Sequence, residues 1–282
     1  MIALEHAAGT PVMPTLVIPR IARDPRIIQI VAQTTLLLLV TVWLDFGPSI
    51  PQVATLIGAA LACEAARAGW RGEALNWKSA LSSALSLSLL LRAANPLLWI
   101  AAAALAIGSK SLIRTGGKHL FNPSAFAIVA LLPTTGQVWV SPGQWGTAIW
   151  LIAIVGTLGA LVLTRVARLD IAIAFLASFM LLLLCRAWYL GDPWAIPLHQ
   201  MQSGGLLIFA LFMLTDPRST PDSRTGRLIF ATAIAVVAHA LLFRWQIREG
   251  VLYALVAVSC FTPVLDRLFP GQSFAWPRHG GV

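Results

Sequence analysis

The chain has 282 residues, of which 58% are hydrophobic and only 11% charged, with a mean hydropathy of +0.79. A soluble domain carries roughly 25% charged residues, so an ordinary soluble globular fold is excluded and a polytopic helical membrane protein is indicated. The net charge of +9 does not point to nucleic acid, because the basic residues sit singly between apolar spans rather than in runs interleaved with aromatics.

Residues 1–26 contain Glu5, Pro11, Pro14 and Pro19 and no continuous apolar core. They read as a cytoplasmic arm rather than a cleaved signal. Ten apolar segments follow, at about 27–46, 51–67, 78–92, 95–113, 122–133, 146–164, 170–188, 203–215, 227–243 and 249–265. They define one membrane domain over 27–268, with a cytoplasmic tail over 269–282. With the N-terminus inside, alternation places sixteen of the 20 Lys and Arg residues on the inner side. Arg92, Arg186, Arg244 and Arg248 remain outside. That bias predicts ten spans with both termini cytoplasmic. Tryptophans agree: Trp43, Trp99, Trp139, Trp145, Trp150, Trp188, Trp194 and Trp245 fall near the outer interface, and Trp70, Trp77 and Trp276 near the inner one. Ten spans divide into five plus five, so the second half would lie inverted. The short third and eighth spans occupy matching positions, the pattern expected of a midplane site.

Span three is serine-rich. Ser79, Ser82, Ser83 and Ser86 share one helical face, either for close helix packing or as the polar wall of a pocket. Next comes a polar, helix-breaking run, Gly117-Lys118-His119-Leu120-Phe121-Asn122-Pro123. In a bilayer such a break survives only where protein or an aqueous cavity covers it. Asn122 suits an N-cap and Pro123 the first helical turn. With Lys110 and Lys118 nearby, the run reads either as an anion site at a helix start or as a basic loop. A second break, Thr215-Asp216-Pro217-Arg218, lies about 100 residues later. There Asp216 would pair with Arg218 or Arg227. At the opposite end of span eight, Ser203-Gly204-Gly205 would let the backbone approach another helix or a planar ligand.

Ionisable groups inside the spans are few; Glu64 lies near the inner end of span two and His239 within span nine. Glu64 is expected to reach Arg67, and His239 to hydrogen-bond a neighbouring helix. Cys63, Cys185 and Cys260 form no CxxC pair and read as buried small hydrophobes, or as contributors to a cluster shared with a partner chain. No Ser-His-Asp set, phosphate-binding P-loop or HExxH is present, so no catalytic or metal-ligating residue is assigned.

These residues resemble the RnfD/NqrB family, membrane subunits of ion-pumping, flavin-dependent electron-transfer complexes, and most closely its RnfD branch. The segments that carry the likeness are Ser79–Leu91, Gly108–Lys110, Gly117–Phe126, Ser203–Pro217, Gly226–Phe230 and Pro263–Asp266. The resemblance implies an all-α fold of ten helices like that of urea and ammonium transporters. It also implies FMN bound covalently to a threonine in a long outer loop with a pattern like DGxSxAT. Here the corresponding loop, Thr134 to Trp145, is short, and it holds no acidic residue before a serine and no Ala-Thr pair; Thr147 is the nearest threonine. Covalent FMN is therefore not expected. A non-covalent flavin, FMN or riboflavin, between span three and the Gly204–Gly205 helix is the expected carrier, with quinone as a second candidate. Trp139, Trp145 and Trp194 would either stack on it at the outer face or belong only to the interfacial aromatic belt.

The binding residues expected on this reading are Lys110, Gly117, Lys118, Asn122, Pro123, Ser203, Gly204, Gly205, Thr215, Asp216 and Arg218. The expected partners are membrane lipid and further membrane or redox subunits, in a bacterial cytoplasmic membrane. A channel or transporter for a small, flavin-like solute, and a scaffold that docks a redox partner, are the competing functions.

Overall fold

A computed structural model describes residues 24–43, 47–140 and 145–274. The chain is a multi-pass helical membrane protein. Helix α1 (Pro25–Leu38) runs on through a wider π segment, Leu39–Trp43. Then come α2 (Ile50–Arg71), α3 (Trp77–Leu90), β1 (Leu91–Ala93) and α4 (Leu97–Leu112). A small hairpin of β2 (Arg114–Thr115) and β3 (Lys118–His119) leads into α5 (Pro123–Thr135) and β4 (Val138–Val140). The remainder is α6 (Ile149–Val166), α7 (Leu169–Leu190), α8 (Ala195–Met201), α9 (Gly204–Ile208) with a π segment at Phe209–Met213, α10 (Arg224–Phe243), α11 (Gly250–Ser259) and α12 (Thr262–Leu268).

Every apolar segment read from the sequence coincides with a helix or a bent helix pair. Among the described residues four helices are long and apolar enough to cross a bilayer, or six if the bent pairs α8–α9 and α11–α12 each count as one span. The others are short. Span three ends at Leu90, because residues 91–93 turn into a strand that pairs antiparallel with β4 in the register Leu91↔Val140, Arg92↔Trp139 and Ala93↔Val138. That hairpin was not expected. The pairs α8–α9 and α11–α12 are each bent by 49°, and α8, before span eight, was not expected. The bulk of the tail and arm expected at the ends, 1–23 and 275–282, lies outside the described residues, as does Trp276.

Local sequence accounts for the helix boundaries. Ser49 caps α2 with Pro51 in its first turn, and Gly72 closes it in the left-handed conformation that glycine tolerates best. Asn122, Ser203 and Ser223 cap α5, α9 and α10. In the first half α1 packs on α3, α2 on α3 and α4, and α4 on α5. In the second, α6 packs on α9, α7 on α8 and α10, and α10 on α11. Helices α1 and α6 meet, as do α5 and α11, joining the halves.

Outward faces carry the apolar rings expected at a lipid boundary, including Trp43, Trp70, Trp188 and Trp245. Trp145 departs from that expectation: it is 1% exposed and packs under Gly204. The cysteines also depart from theirs. Cys63 is half-buried, while Cys185 and Cys260 lie on outward helix surfaces, because lipid rather than protein solvates an apolar side chain there.

A Cβ at Gly204 would sit 2.8 Å from Trp145 Cβ and 3.0 Å from its carbonyl oxygen, and the Gly204 amide already donates to the Gly146 carbonyl at 3.0 Å. Gly204→Ala is expected to destabilise the protein by about 1–3 kcal/mol, the usual range for overpacking. Gly58→Ala, which meets nothing within 4 Å, should not lower stability. Thermal unfolding of both variants in detergent checks the contrast.

Candidate functional site

The two polar breaks meet in space, and four links tie them. His119 Nε2 lies 2.9 Å from Asp216 Oδ2. Asn122 Nδ2 donates to the Met213 carbonyl at 3.0 Å. Lys118 Nζ donates to the Thr220 carbonyl at 3.0 Å. Arg218 Nη2 donates to the Gly117 carbonyl at 2.8 Å. A helix-end carbonyl, that of Met213, and two loop carbonyls are thus satisfied across the seam, and Asn122 caps α5 itself, as burial in a bilayer requires.

Several residues expected to bind a ligand are committed to this seam. Lys118 sits between Asp222 at 3.0 Å and Asp266 at 2.6 Å, so its charge is already matched. Asn122 uses both ends of its amide, since its Oδ1 also accepts from the Ala125 amide at 3.0 Å. Pro123 fills the first turn of α5. Thr215 Oγ1 donates to the Leu211 carbonyl at 2.8 Å. The pairing expected for Asp216 is also corrected. Its side chain meets His119 and accepts from the Arg218 main-chain amide at 3.0 Å, whereas Arg227 pairs with Asp170 at 2.6 Å. The reason is that α10 turns Arg227 toward α7. Glu64 does pair with Arg67, at 2.7 Å.

Beside the seam lies a polar cavity. Ser79, Ser82, Ser83 and Ser86 all line it, as their helical spacing predicts, together with Lys110 and Asp216. Lys110 Nζ donates to the Ser79 carbonyl, Ser79 Oγ and Ser83 Oγ at 2.8, 2.8 and 2.7 Å. Gln33, fully buried on α1, donates to Ser86 at 2.7 Å and accepts from Ser82 at 3.3 Å. The cavity measures only about 70 Å³. One water needs roughly 10–15 Å³, so it holds a few waters or a small ion and cannot hold a flavin.

A larger cavity of about 550 Å³ opens toward the opposite end of the helices. Phe179, Phe209 and Phe243 line it, with Ser203 and Gly205 at the start of α9, Gln200, and Arg248. The eleven expected binding residues therefore divide. Ser203 and Gly205 border this cavity, and Gly204 is packed on Trp145. The other eight, Lys110, Gly117, Lys118, Asn122, Pro123, Thr215, Asp216 and Arg218, belong to the seam or to the cavities beside it. The phenylalanines were missed because in an apolar helix nothing in sequence distinguishes a cavity wall from lipid-facing packing. His239 lies against Phe179 and Phe243, and its Nε2 is buried without a hydrogen-bond partner, contrary to the expected bond to a neighbouring helix. Among the described residues no group of three or more His, Cys, Asp or Glu converges as metal ligands would.

Burial opposes ionisation of Asp216, yet His119 and the Arg218 amide outweigh it and hold the carboxyl below its ordinary range. A lowered carboxylate stabilises the fold fully above its unfolded pKa, about 3.9. That contribution is lost as pH falls through the lower folded value. Melting curves should fall steeply with acid below about pH 4. Asp216→Asn should begin lower at neutral pH and show a shallower acid limb. Lys118→Met leaves Asp222 and Asp266 facing each other and is expected to cost about 3 kcal/mol, measurable by denaturation in detergent.

Comparison with known proteins locates this architecture. A family model described as the NQR2, RnfD, RnfE family matches residues 134–275. The D component of the ion-translocating oxidoreductase complex of Stutzerimonas stutzeri is 30% identical, over 78% of this chain and 83% of that protein. The protein of the same description from Escherichia fergusonii is 27% identical over 48% of this chain and 36% of its own length. The D component of the proton-translocating ferredoxin:NAD(+) oxidoreductase complex of Clostridium ljungdahlii is 30% identical over 32% of this chain and 26% of its own.

Proposed function

The chain belongs to the NQR2, RnfD, RnfE family, and from that premise we propose that it is a membrane subunit of an ion-translocating electron-transfer system that holds a redox-active planar ring non-covalently. The observation that carries the ring is the 550 Å³ cavity, which falls within the roughly 300–1,000 Å³ typical of small-molecule sites. Its chemistry fits an isoalloxazine. Phe179, Phe209 and Phe243 supply apolar faces, Gln200 and Gln246 supply amides for a polar ring edge, and Arg248 supplies positive charge at the rim. Gly205 borders the cavity at the start of α9. A bound flavin would carry electrons one or two at a time. The protein's part is to orient the ring, exclude water from it and balance its charge. A quinone ring is the second occupant of the same slot.

The packing partners support the five-plus-five reading with inverted halves. In each half the first helix packs on the third and the second on the fourth, and the short or bent third element borders the centre. On this reading ten spans cross a bacterial cytoplasmic membrane, the seam lies on the cytoplasmic side, and further membrane or redox subunits complete the system. The arm 1–26, membrane domain 27–268 and tail 269–282 follow from it.

The rival reading, a channel for a small solute, draws on the serine-lined cavity, whose 70 Å³ suits water or a small ion. Purification decides between them. On the first reading the protein is yellow, with near-equimolar flavin that bleaches on reduction, and Gly205→Leu lowers flavin content severalfold without loss of fold. Acid precipitation should leave that flavin in the supernatant, and flavin in the pellet would contradict non-covalent attachment. A quinone extracted in its place identifies the second occupant. A colourless protein that carries solute into proteoliposomes favours the channel.

A further inference from the structure

Adjoining the serine-lined cavity, with which it shares Ser79, Lys110, His119 and Arg218, a polar recess of about 220 Å³ opens at the seam's end of the molecule. Four cationic side chains, Arg67, Lys110, Arg114 and Arg218, line it against two carboxylates, Glu64 and Glu73. Both carboxylates are taken by Arg67, which reaches Glu64 through two donors at 2.8 and 2.7 Å and also pairs with Glu73. Among the described residues Lys110, Arg114 and Arg218 have no carboxylate within ion-pair distance.

The two arginines are also held side by side. Arg114 Nη2 and Arg218 Nη2 both donate to one carbonyl oxygen, that of Gly117, at 2.7 and 2.8 Å. The hairpin that presents this carbonyl turns through Gly116 and Gly117 at φ of +59° and +81°, where a side chain would be strained. Each guanidinium has five N–H donors. Arg114 uses one of them here, and Arg218 uses two, the second toward the Phe274 carbonyl at 3.5 Å. Two neighbouring guanidinium forks with donors to spare and no carboxylate of their own match the oxygens of a phosphate.

We propose that this recess binds the phosphate group of an anionic ligand, with Arg114 and Arg218 as the clamp and Lys110 adding positive charge. Its volume is below the roughly 300 Å³ at which drug-sized pockets begin, so the phosphate enters and the rest of the ligand extends beyond it. A soluble phosphomonoester and the headgroup of an anionic phospholipid share this chemistry. The site shares no lining residue with the larger cavity, so it stands or falls independently of the flavin.

The test uses the full chain, stripped of lipid in detergent, and compares melting in inorganic phosphate with melting in chloride at equal ionic strength. A parallel arm compares nanodiscs of phosphatidylglycerol with nanodiscs of phosphatidylcholine. Stabilisation by inorganic phosphate identifies a soluble phosphate group. Stabilisation by phosphatidylglycerol alone identifies a lipid headgroup. In either arm Arg114→Gln/Arg218→Gln should weaken the response at least tenfold, while Arg165→Gln, the loss of one positive charge at an exposed site on α6, should leave it unchanged. Should the double variant not fold, the single Arg→Lys variants, which keep the charge and lose the fork, are expected to weaken it as well. The proposal is overturned if neither ligand stabilises the protein, if Arg165→Gln weakens the response equally, or if the response survives loss of both forks.

Discussion

The structure depends on the seam between two interrupted helices. A helix that stops inside a membrane protein leaves its terminal amides or carbonyls without partners, and lipid supplies none. Here α5 starts where the π segment after α9 stops, and the cap of the first serves the last carbonyl of the second. Asn122 caps its own helix and also reaches the Met213 carbonyl. Lys118 brings the 215–223 turn and α12 together through Thr220, Asp222 and Asp266. His119 and Asp216 close the contact.

The seam also divides the polar chemistry of the molecule. On its side lie the serine-lined cavity and the arginine recess, both small and both rich in hydrogen-bonding groups. Toward the opposite end lies the larger, phenylalanine-walled cavity. Between them the helices pack through small residues and through single polar bridges such as Gln33 to Ser86. A small hydrated cavity suits ions or water, and a larger apolar one suits a planar ring. An electron-transfer subunit coupled to ion movement needs both kinds of site, held apart.

The likeness to the Stutzerimonas protein extends over most of both chains, so membership does not rest on one motif. After α5, β4 returns at once to pair with β1 and ties the end of α3 to the end of α5. A connection of that length serves the packing of two short helices and leaves little chain for anything else.

Much of this was legible in the sequence for simple reasons. Apolar runs mark helices because burying apolar surface, in protein or in lipid, needs no partner detail. Asn122-Pro123 and Ser203-Gly204 mark helix starts because capping is local. The four serines of α3 share a cavity because helical periodicity puts them on one face. What the sequence could not show was which of two distant groups would meet. Whether Asp216 faces Arg218, Arg227 or His119, whether Lys118 is free or enclosed, and whether Trp145 stacks on a ligand or packs on Gly204 all depend on where separate helices cross. The sequence by itself therefore determined the membrane class, the capped helix starts and the two breaks. Only the tertiary structure decided that the breaks meet, and that among the described residues Arg114 and Arg218 have no carboxylate within ion-pair distance. The physical reason is that capping and periodicity act within a few residues of the chain, whereas charge pairing and cavity shape are set by contacts made across roughly a hundred.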